Sequence, residues 1–228
     1  MTIALCLLTW NELRGCQMDV PLLPEGLFSE IYAIDGGSTD GTQDFLKANE
    51  IRVVQQSRKS YNGAYLDAME ASTADAVVLF HPKGTIDPLS LREMHQYLSE
   101  GVELVVASRM IRGAENEEDA KFFRPRKWFV LALAASAILI WHKEGAKIRD
   151  VLHGYRGVNK QFFVDMKPLE YGTSIDYEMV IRSYRLKRSR LEFPIKELPR
   201  PYGATHFKAF ATGKILLRYL AYEIRRSI

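Results

Sequence analysis

The sequence predicts an α/β fold in which a mostly parallel central sheet is flanked by helices, and three observations carry that expectation. Short, nearly continuous apolar runs such as Thr2–Leu8 and Ala76–Phe80 suit strands buried on both faces. These runs alternate with helical segments in the order strand, helix, strand, helix, the pattern of a doubly wound sheet. The apolar run Ile31–Ile34 breaks at once into Asp35, two glycines, Ser38, Thr39 and Asp40, which are turn and cap residues placed at a strand tip. A chain of 228 residues with 47% hydrophobic content can build one sizeable core, and no linker-like stretch divides it, so residues 1–228 read as a single domain.

Taken in order, Thr2–Leu8 is the first strand, with Asn11 and Glu12 at its carboxyl end. Residues 13–30 carry Pro21, Pro24 and Gly26 and read as a short helix running into a loop. Asp35 then stands at the carboxyl end of the second strand, where open α/β sheets bind ligands. Ser38 or Thr39 is placed to cap the next helix, and Asp40 suits its positive N-terminal end. Gln43–Asn49 continues that helix, Ile51–Gln55 is a strand, Gly63–Ser72 a helix and Ala76–Phe80 a central strand. Asp87 and Pro88 read as N-cap and first residue of a helix that puts Leu91, Met94 and Leu98 on one face. Val102–Ser108 is a strand ending at Arg109, and Glu115–Asp119 a solvated loop. Ser174–Arg190 is a helix with Asp176 and Glu178 in its first turn, Arg190–Pro199 a strand, and Lys208–Ile228 a closing basic amphipathic helix.

Net charge is +3, but residues 1–120 carry −10 and residues 121–228 carry +13. The second half is the one built to meet anions, such as a nucleotide diphosphate, a lipid phosphate or an anionic membrane surface. Nucleic acid fits poorly, because no recognised motif or stacking platform is present and the acidic half repels a phosphate backbone. Two cysteines, Cys6 and Cys16, suit a reduced cytosolic protein rather than a disulfide framework. The N-terminal apolar run is interrupted by Asn11 and Glu12 and lacks a basic leader, so it reads as a strand and not a signal peptide. Residues Trp128–Trp141 are uncharged, but 14 residues fall short of the about 20 that span a bilayer. Flanked by Arg124, Arg126, Lys127, His142 and Lys143, this stretch suits a helix lying among lipid headgroups, and a buried core helix equally well.

The segment Ile31–Thr42, IYAIDGGSTDGT, resembles the DDGSTDGT nucleotide-binding turn of family 2 glycosyltransferases, which have the GT-A fold. Thr9-Trp10-Asn11-Glu12 resembles the end of their first strand. Ala107-Ser108-Arg109, Asp150–Arg156 (DVLHGYR) and Arg200–His206 (RPYGATH) follow in the same order, similar to the G-S-R, D-x-x-x-G-F-R and R-x-x-G-x-S-K elements of dolichyl- and polyprenyl-phosphate sugar synthases. The resemblance implies that Thr9, Asn11, Glu12 and Asp35 hold a nucleoside, and that Arg109 and Arg200 face its diphosphate. It implies that Arg126 contacts an acceptor phosphate. Arg156 would do the same or anchor its loop, and Glu178 is a recurrent carboxylate with a structural or orienting role. His206 replaces the usual lysine, making one cation dependent on pH. Residues 124–143 and 207–228 become candidate membrane-interface helices.

One element departs from the family pattern. Aligning on Gly84-Thr85 and Asp87-Pro88 places His81-Pro82-Lys83 where family members carry a metal-binding Asp-x-Asp. Mg²⁺ and Mn²⁺ prefer oxygen ligands, so a divalent metal is disfavoured and no cofactor is expected. Lys83 would put a permanent positive charge where the cation sits. The resulting expectation is a transferase, with Lys83, Arg109 and Arg200 as catalytic residues and His81 as a further candidate. It moves a sugar from a nucleoside diphosphate sugar to a polyprenyl phosphate on the cytoplasmic face of a membrane. The alternative is a non-catalytic GT-A-like module that binds or regulates a membrane protein partner, itself a glycosyltransferase.

Overall fold

The computed structural model describes residues 1–116, 119, 122–202 and 209–226. His206 lies outside the described residues. Seven strands form one sheet: β1 Ile3–Thr9, β2 Glu30–Asp35, β3 Arg52–Gln55, β4 Ala76–Phe80, β5 Leu104–Ser108, β6 Arg156–Asn159 and β7 Arg190–Pro194, in the order β3-β2-β1-β4-β6-β5-β7. Every pairing is parallel except those of β6, which lies antiparallel between β4 and β5, with Val78 opposite Gly157 and Gly157 opposite Val105. The sequence reading did not anticipate β6. Residues 156–159 are too short and mixed (RGVN) for their period to declare a strand.

The helices are α1 Leu13–Asp19, α2 Thr42–Ala48, α3 Tyr61–Ala71, α4 Leu91–Ser99, α5 Pro125–Trp141, α6 Lys160–Asp165, α7 Ile175–Arg185 and α8 Ala209–Arg225. Strand alternation separates two cores. Ala4, Cys6 and Leu8 pack with α3, α5, α7 and α8 on one face, and Ile3, Leu5 and Leu7 pack with α1, α2 and α4 on the other. Burying each such leucine contributes about 1.5–3 kcal/mol. As read from the sequence, Leu91, Met94 and Leu98 form the buried face of α4, and Asp87 accepts the Leu89 N–H at 2.9 Å. Gly157 lets α4 approach β6, since a Cβ there would stand 2.7 Å from Leu98 Cδ1.

Three elements differ from expectation. The helix expected over Ser174–Arg190 stops at Arg185, and Lys187 adopts a left-handed φ of 54° that turns the chain into β7. The N-cap of α2 is Gly41, at φ 92°, instead of Ser38 or Thr39. The Ser38 hydroxyl donates to Asp35 at 2.6 Å, while Asp40 accepts the N–H groups of Thr42 and Leu13. Helix α5 is neither wholly buried nor wholly exposed. Val130, Leu133, Ala134 and Ala137 enter the core, the Tyr177 hydroxyl donates to the Leu133 carbonyl at 2.9 Å, and Trp128, Leu139 and Ile140 face outward. Trp141 packs against the core, so the two tryptophans are not equivalent. Along α8, Leu216, Tyr219 and Glu223 are buried, whereas Ile215, Leu217 and Ile224 are exposed. Among the described residues, no helix is long and apolar enough to cross a membrane.

Candidate active site

Topology brings the chemistry to one edge. The parallel strands end there at Thr9, Asp35, Phe80 and Ser108, followed by His81 and Arg109, and β7 leads on to Glu197 and Arg200. Because β6 runs the other way, it is its beginning, Arg156 preceded by Asp150–Tyr155, that reaches the same edge.

Asp35 is sealed from solvent. It accepts from Thr9 Oγ1 at 2.8 Å, from the Gly37 and Ser38 N–H groups at 3.0 and 2.7 Å, from Ser38 Oγ and from Gln43 Nε2 at 2.8 Å. Five donors on one carboxylate fix the turn's shape. Asn11, held at φ 53°, accepts the Thr39 N–H at 2.8 Å and donates its own N–H to Ser38 Oγ, tying the end of β1 to the turn. Beside it Asn11, Leu13, Arg14, Asp40 and Tyr202 line an open recess. Glu12 is buried and pairs with Arg200, and Tyr202 Oη donates to it at 3.4 Å.

A cavity of about 400 Å³ is linked to Glu12 through Arg200, which lines it. Lys83, Arg109, Arg126 and Arg200 all line it, as do His81, His153, Asp176 and Glu197, and its far wall is made by α5 and α8. The ammonium of Lys83 makes no ion pair with a described residue. Burial lowers its pKa, as do Arg200 and Arg109, while Glu197 and Glu12 act in the opposite direction. Burial, followed by Lys83, His153 and Arg200, holds the His81 imidazole well below its ordinary range, and burial and Arg109 push His153 down to about 4. Both imidazoles are therefore neutral at pH 7, so the positive charge of the cavity comes from lysine and arginine.

Arg109 already has partners. Nε and Nη2 donate to the two oxygens of Asp150 at 2.8 and 3.0 Å, and Nη1 donates to Glu197 at 2.9 Å, leaving two of its five N–H bonds. Arg156, read from the sequence as a phosphate contact or a loop anchor, is fully buried and does not line the cavity. Nε donates to the His153 carbonyl at 2.7 Å and the guanidinium pairs with Asp176 at 3.3 Å, so its geometry is that of a loop anchor. Glu178 is buried and accepts from Asn62 Nδ2, the Leu169 N–H and Ser174 Oγ, which fits the orienting role and pins the start of α7 to α3. Arg126 lies at the cavity mouth on the first turn of α5.

Sequence reasoning missed the roles of Asp176, Glu197, His153 and Thr173. Asp176 accepts from Tyr65 Oη at 3.0 Å and its pKa is raised by burial against the pull of Arg156. Thr173 Oγ1 is buried at the cavity wall with no hydrogen-bond partner among the described residues. Their spacing carries no signal, since they lie on separate segments: His153 before β6, Thr173 and Asp176 at the start of α7, and Glu197 beyond β7.

The carboxylates do not assemble a cation site. Glu12 is held by Arg200, Glu197 by Arg109, Asp176 by Arg156, and the segment after the tip of β4 offers the His81 imidazole and the Lys83 ammonium. Among the described residues, no three His, Cys, Asp or Glu side chains could hold a metal ion together. This donor set does not fit Mg²⁺ or Mn²⁺.

Comparison with known proteins agrees with this architecture. The chain is 28% identical to glycosyltransferase AglJ of Haloferax volcanii over 217 residues, covering 93% of this chain and 69% of that protein. It is 25% identical to a dolichyl-phosphate hexose transferase of the same organism, covering 92% and 89%. Its fold matches glucosyl-3-phosphoglycerate synthase of Mycobacterium tuberculosis, solved with Mn²⁺, UDP and phosphoglyceric acid, at a TM-score of 0.74 and 19% identity over 100% of this chain and 80% of that one. Residues 17–165, from α1 through α6, match the family model described as glycosyl transferase family 2. With a nucleotide-type turn, a cationic cavity at the carboxyl edge of the sheet and a family match over most of its length, the chain belongs to glycosyl transferase family 2 and is a glycosyltransferase of the GT-A fold.

Proposed function

We propose that the protein transfers a sugar from a nucleoside diphosphate sugar to a polyprenyl phosphate at a membrane surface, and that Lys83 takes the place of a divalent metal. The observation that carries this reading is the cavity itself, where Lys83, Arg109, Arg126 and Arg200 converge on one space that Arg200 links to Glu12, just past the end of β1. Thr9, Asn11, Glu12 and Asp35 shape the nucleoside end, Lys83 and Arg200 meet the diphosphate, and Arg126 meets the acceptor phosphate. Arg109 contributes its two remaining N–H bonds, and Arg156 acts through Asp176.

In this reading a phosphate oxygen of the acceptor attacks the anomeric carbon as the bond from that carbon to the diphosphate oxygen breaks. The bonding pair leaves with the nucleoside diphosphate, and configuration inverts. The nucleophile is already an anion, so no strong base is required, and catalysis reduces to alignment and neutralisation of two phosphate groups. Lys83 and Arg200 offset the charge that grows on the leaving group.

The lipid acceptor is supported by the similarity to a dolichyl-phosphate hexose transferase. It is also supported by the outward apolar side chains Trp128, Leu139, Ile140, Ile215, Leu217 and Ile224 on the two helices that wall the cavity. Cys6 and Cys16 are free and buried, in keeping with the cytoplasmic face.

Thermal titration with UDP and GDP, each with Mn²⁺ and with EDTA, tests the reading. A true donor nucleotide raises apparent stability by about 2.7 kcal/mol at a hundredfold excess over its dissociation constant, and here the gain persists in EDTA. A gain seen only with Mn²⁺ overturns the metal-free site. Wild-type turnover in Lys83→Ala overturns the role of the lysine.

A further inference from the structure

The turn that carries Lys83 is gripped from one side by α1. Gly15, Met18 and Asp19 are spaced three and four residues apart and share one helix face. Gly15 lets the helix backbone press against the turn, since a Cβ there would stand 2.0 Å from the Pro82 carbonyl oxygen. Met18 covers Gly84, whose φ of 64° turns the chain away immediately after Lys83 and whose added Cβ would lie 2.7 Å from Met18 Cε. Asp19, 3% exposed, accepts the Gly84 N–H at 2.9 Å and also interacts with the Lys83 N–H. A carboxylate is costly to bury, and the hydrogen bond that offsets this cost comes from the backbone of this turn.

We propose that Asp19 is a positioning residue, which through the backbone of Lys83 and Gly84 holds the lysine ammonium at the place where the donor diphosphate binds. The inference rests on the reading of Lys83 given above. A metal ion would be located by its own coordination geometry. A flexible lysine side chain has no such constraint, and α1 supplies it by fixing the backbone from which the side chain extends.

The test is a double-mutant cycle read by calorimetric binding of UDP and GDP, with uridine and guanosine as phosphate-free controls. Lys83→Ala weakens binding of the diphosphate about tenfold, as expected for a lost charge-assisted bond, and leaves the nucleoside unchanged. Asp19→Ala weakens the diphosphate about threefold to tenfold when Lys83 is present and has no further effect in the Lys83→Ala background. Asp19→Asn keeps one acceptor oxygen and recovers most of the loss. Should Asp19→Ala fail to fold, Met18→Ala removes the other grip on Gly84 and gives the same Lys83-dependent loss. An Asp19 effect of equal size with and without Lys83, or no effect at all, overturns the positioning role. Lys83→Ala binding the diphosphate as wild type does, or a wild-type protein binding neither nucleotide, overturns the underlying reading instead.

Discussion

Asp150→Asn isolates the ion network behind the cavity. Asp150 is fully enclosed and its carboxylate takes both oxygens to Arg109, accepting also the Arg109 backbone N–H at 2.9 Å. The amide has nearly the same shape, but it removes the charge and turns an NH₂ group toward a guanidinium that only donates. Breaking a buried pair by removing one partner costs about 3–5 kcal/mol. Arg109 keeps Glu197 at 2.9 Å, which places the expected loss at about 3 kcal/mol, the lower end of that range. Burial alone would raise the Asp150 pKa, yet Arg109 holds it far below 3.8. A depressed carboxylate contributes stability that is present above its unfolded pKa and lost as pH falls through the folded one. The gap between wild type and Asp150→Asn is therefore flat from pH 5 to 7 and narrows below about pH 4. Urea denaturation at these pH values, with unchanged m, measures it. A difference under about 1 kcal/mol at pH 7, or a gap that widens in acid, refutes the claim that this buried pair stabilises the fold.

Three further outcomes are expected. Gly154→Ala puts a Cβ 2.4 Å from Tyr61 Oη and 2.7 Å from His81 Cε1, so it lowers stability by about 1–3 kcal/mol and depresses sugar transfer together with it, measured by thermal unfolding and turnover. Burial raises the Asp19 pKa to about 6 from 3.8, so the folded state binds that proton more tightly and wild type loses stability as pH rises from about 4 through 6; Asp19→Asn is spared this loss and gains on wild type by up to about 3 kcal/mol at pH 7 in urea titrations. Replacing both Leu139 and Ile140 with Glu removes the outward apolar end of α5 and abolishes sedimentation with vesicles containing anionic lipid, while donor binding is retained.

Strands β1, β4 and β5 were legible because each is buried on both faces and announces itself as an apolar run, and β2 because the Asp35 turn at its end carries its own chemistry. The Lys83 position was legible for a related reason: Asp87 and Pro88 fix the register of the helix that follows. What stayed hidden depends on contacts between distant segments. Strand β6 pairs residues 156–159 with 76–79 and 104–106, and that pairing brings His153 to the cavity and Asp150 to Arg109 behind it. Arg156 shows the limit most clearly. An arginine two residues after a glycine looks the same in sequence whether it faces a phosphate or is closed off by Asp176 and a carbonyl.

Charge illustrates the same distinction between composition and placement. The +13 of residues 121–228 suggests a broad basic surface, yet much of it is consumed inside the fold. Arg182 and Arg185 both pair with Glu223, Arg188 pairs with Glu103 and Asp165, and the Arg190 guanidinium stacks 4.4 Å from the Tyr184 ring while donating to backbone carbonyls. These arginines fasten α7, α8 and β7 to the sheet. Among the described residues Lys147, Arg149, Lys167, Lys187 and Lys196 are exposed, and a further group is formed by Arg126 on α5, Lys143 just beyond its end, and Lys214, Arg218 and Arg225 on α8. This latter group lies on or beside the helices that present Trp128, Leu139, Ile215 and Ile224 to solvent and that wall the cavity. An anionic headgroup and a hydrocarbon tail are two parts of one molecule, and a surface that alternates cations with apolar side chains can serve both at once. Net charge alone would have been equally consistent with nucleic acid. The interleaving with apolar side chains is what favours a lipid, because a phosphate backbone offers nothing to cover leucine and isoleucine.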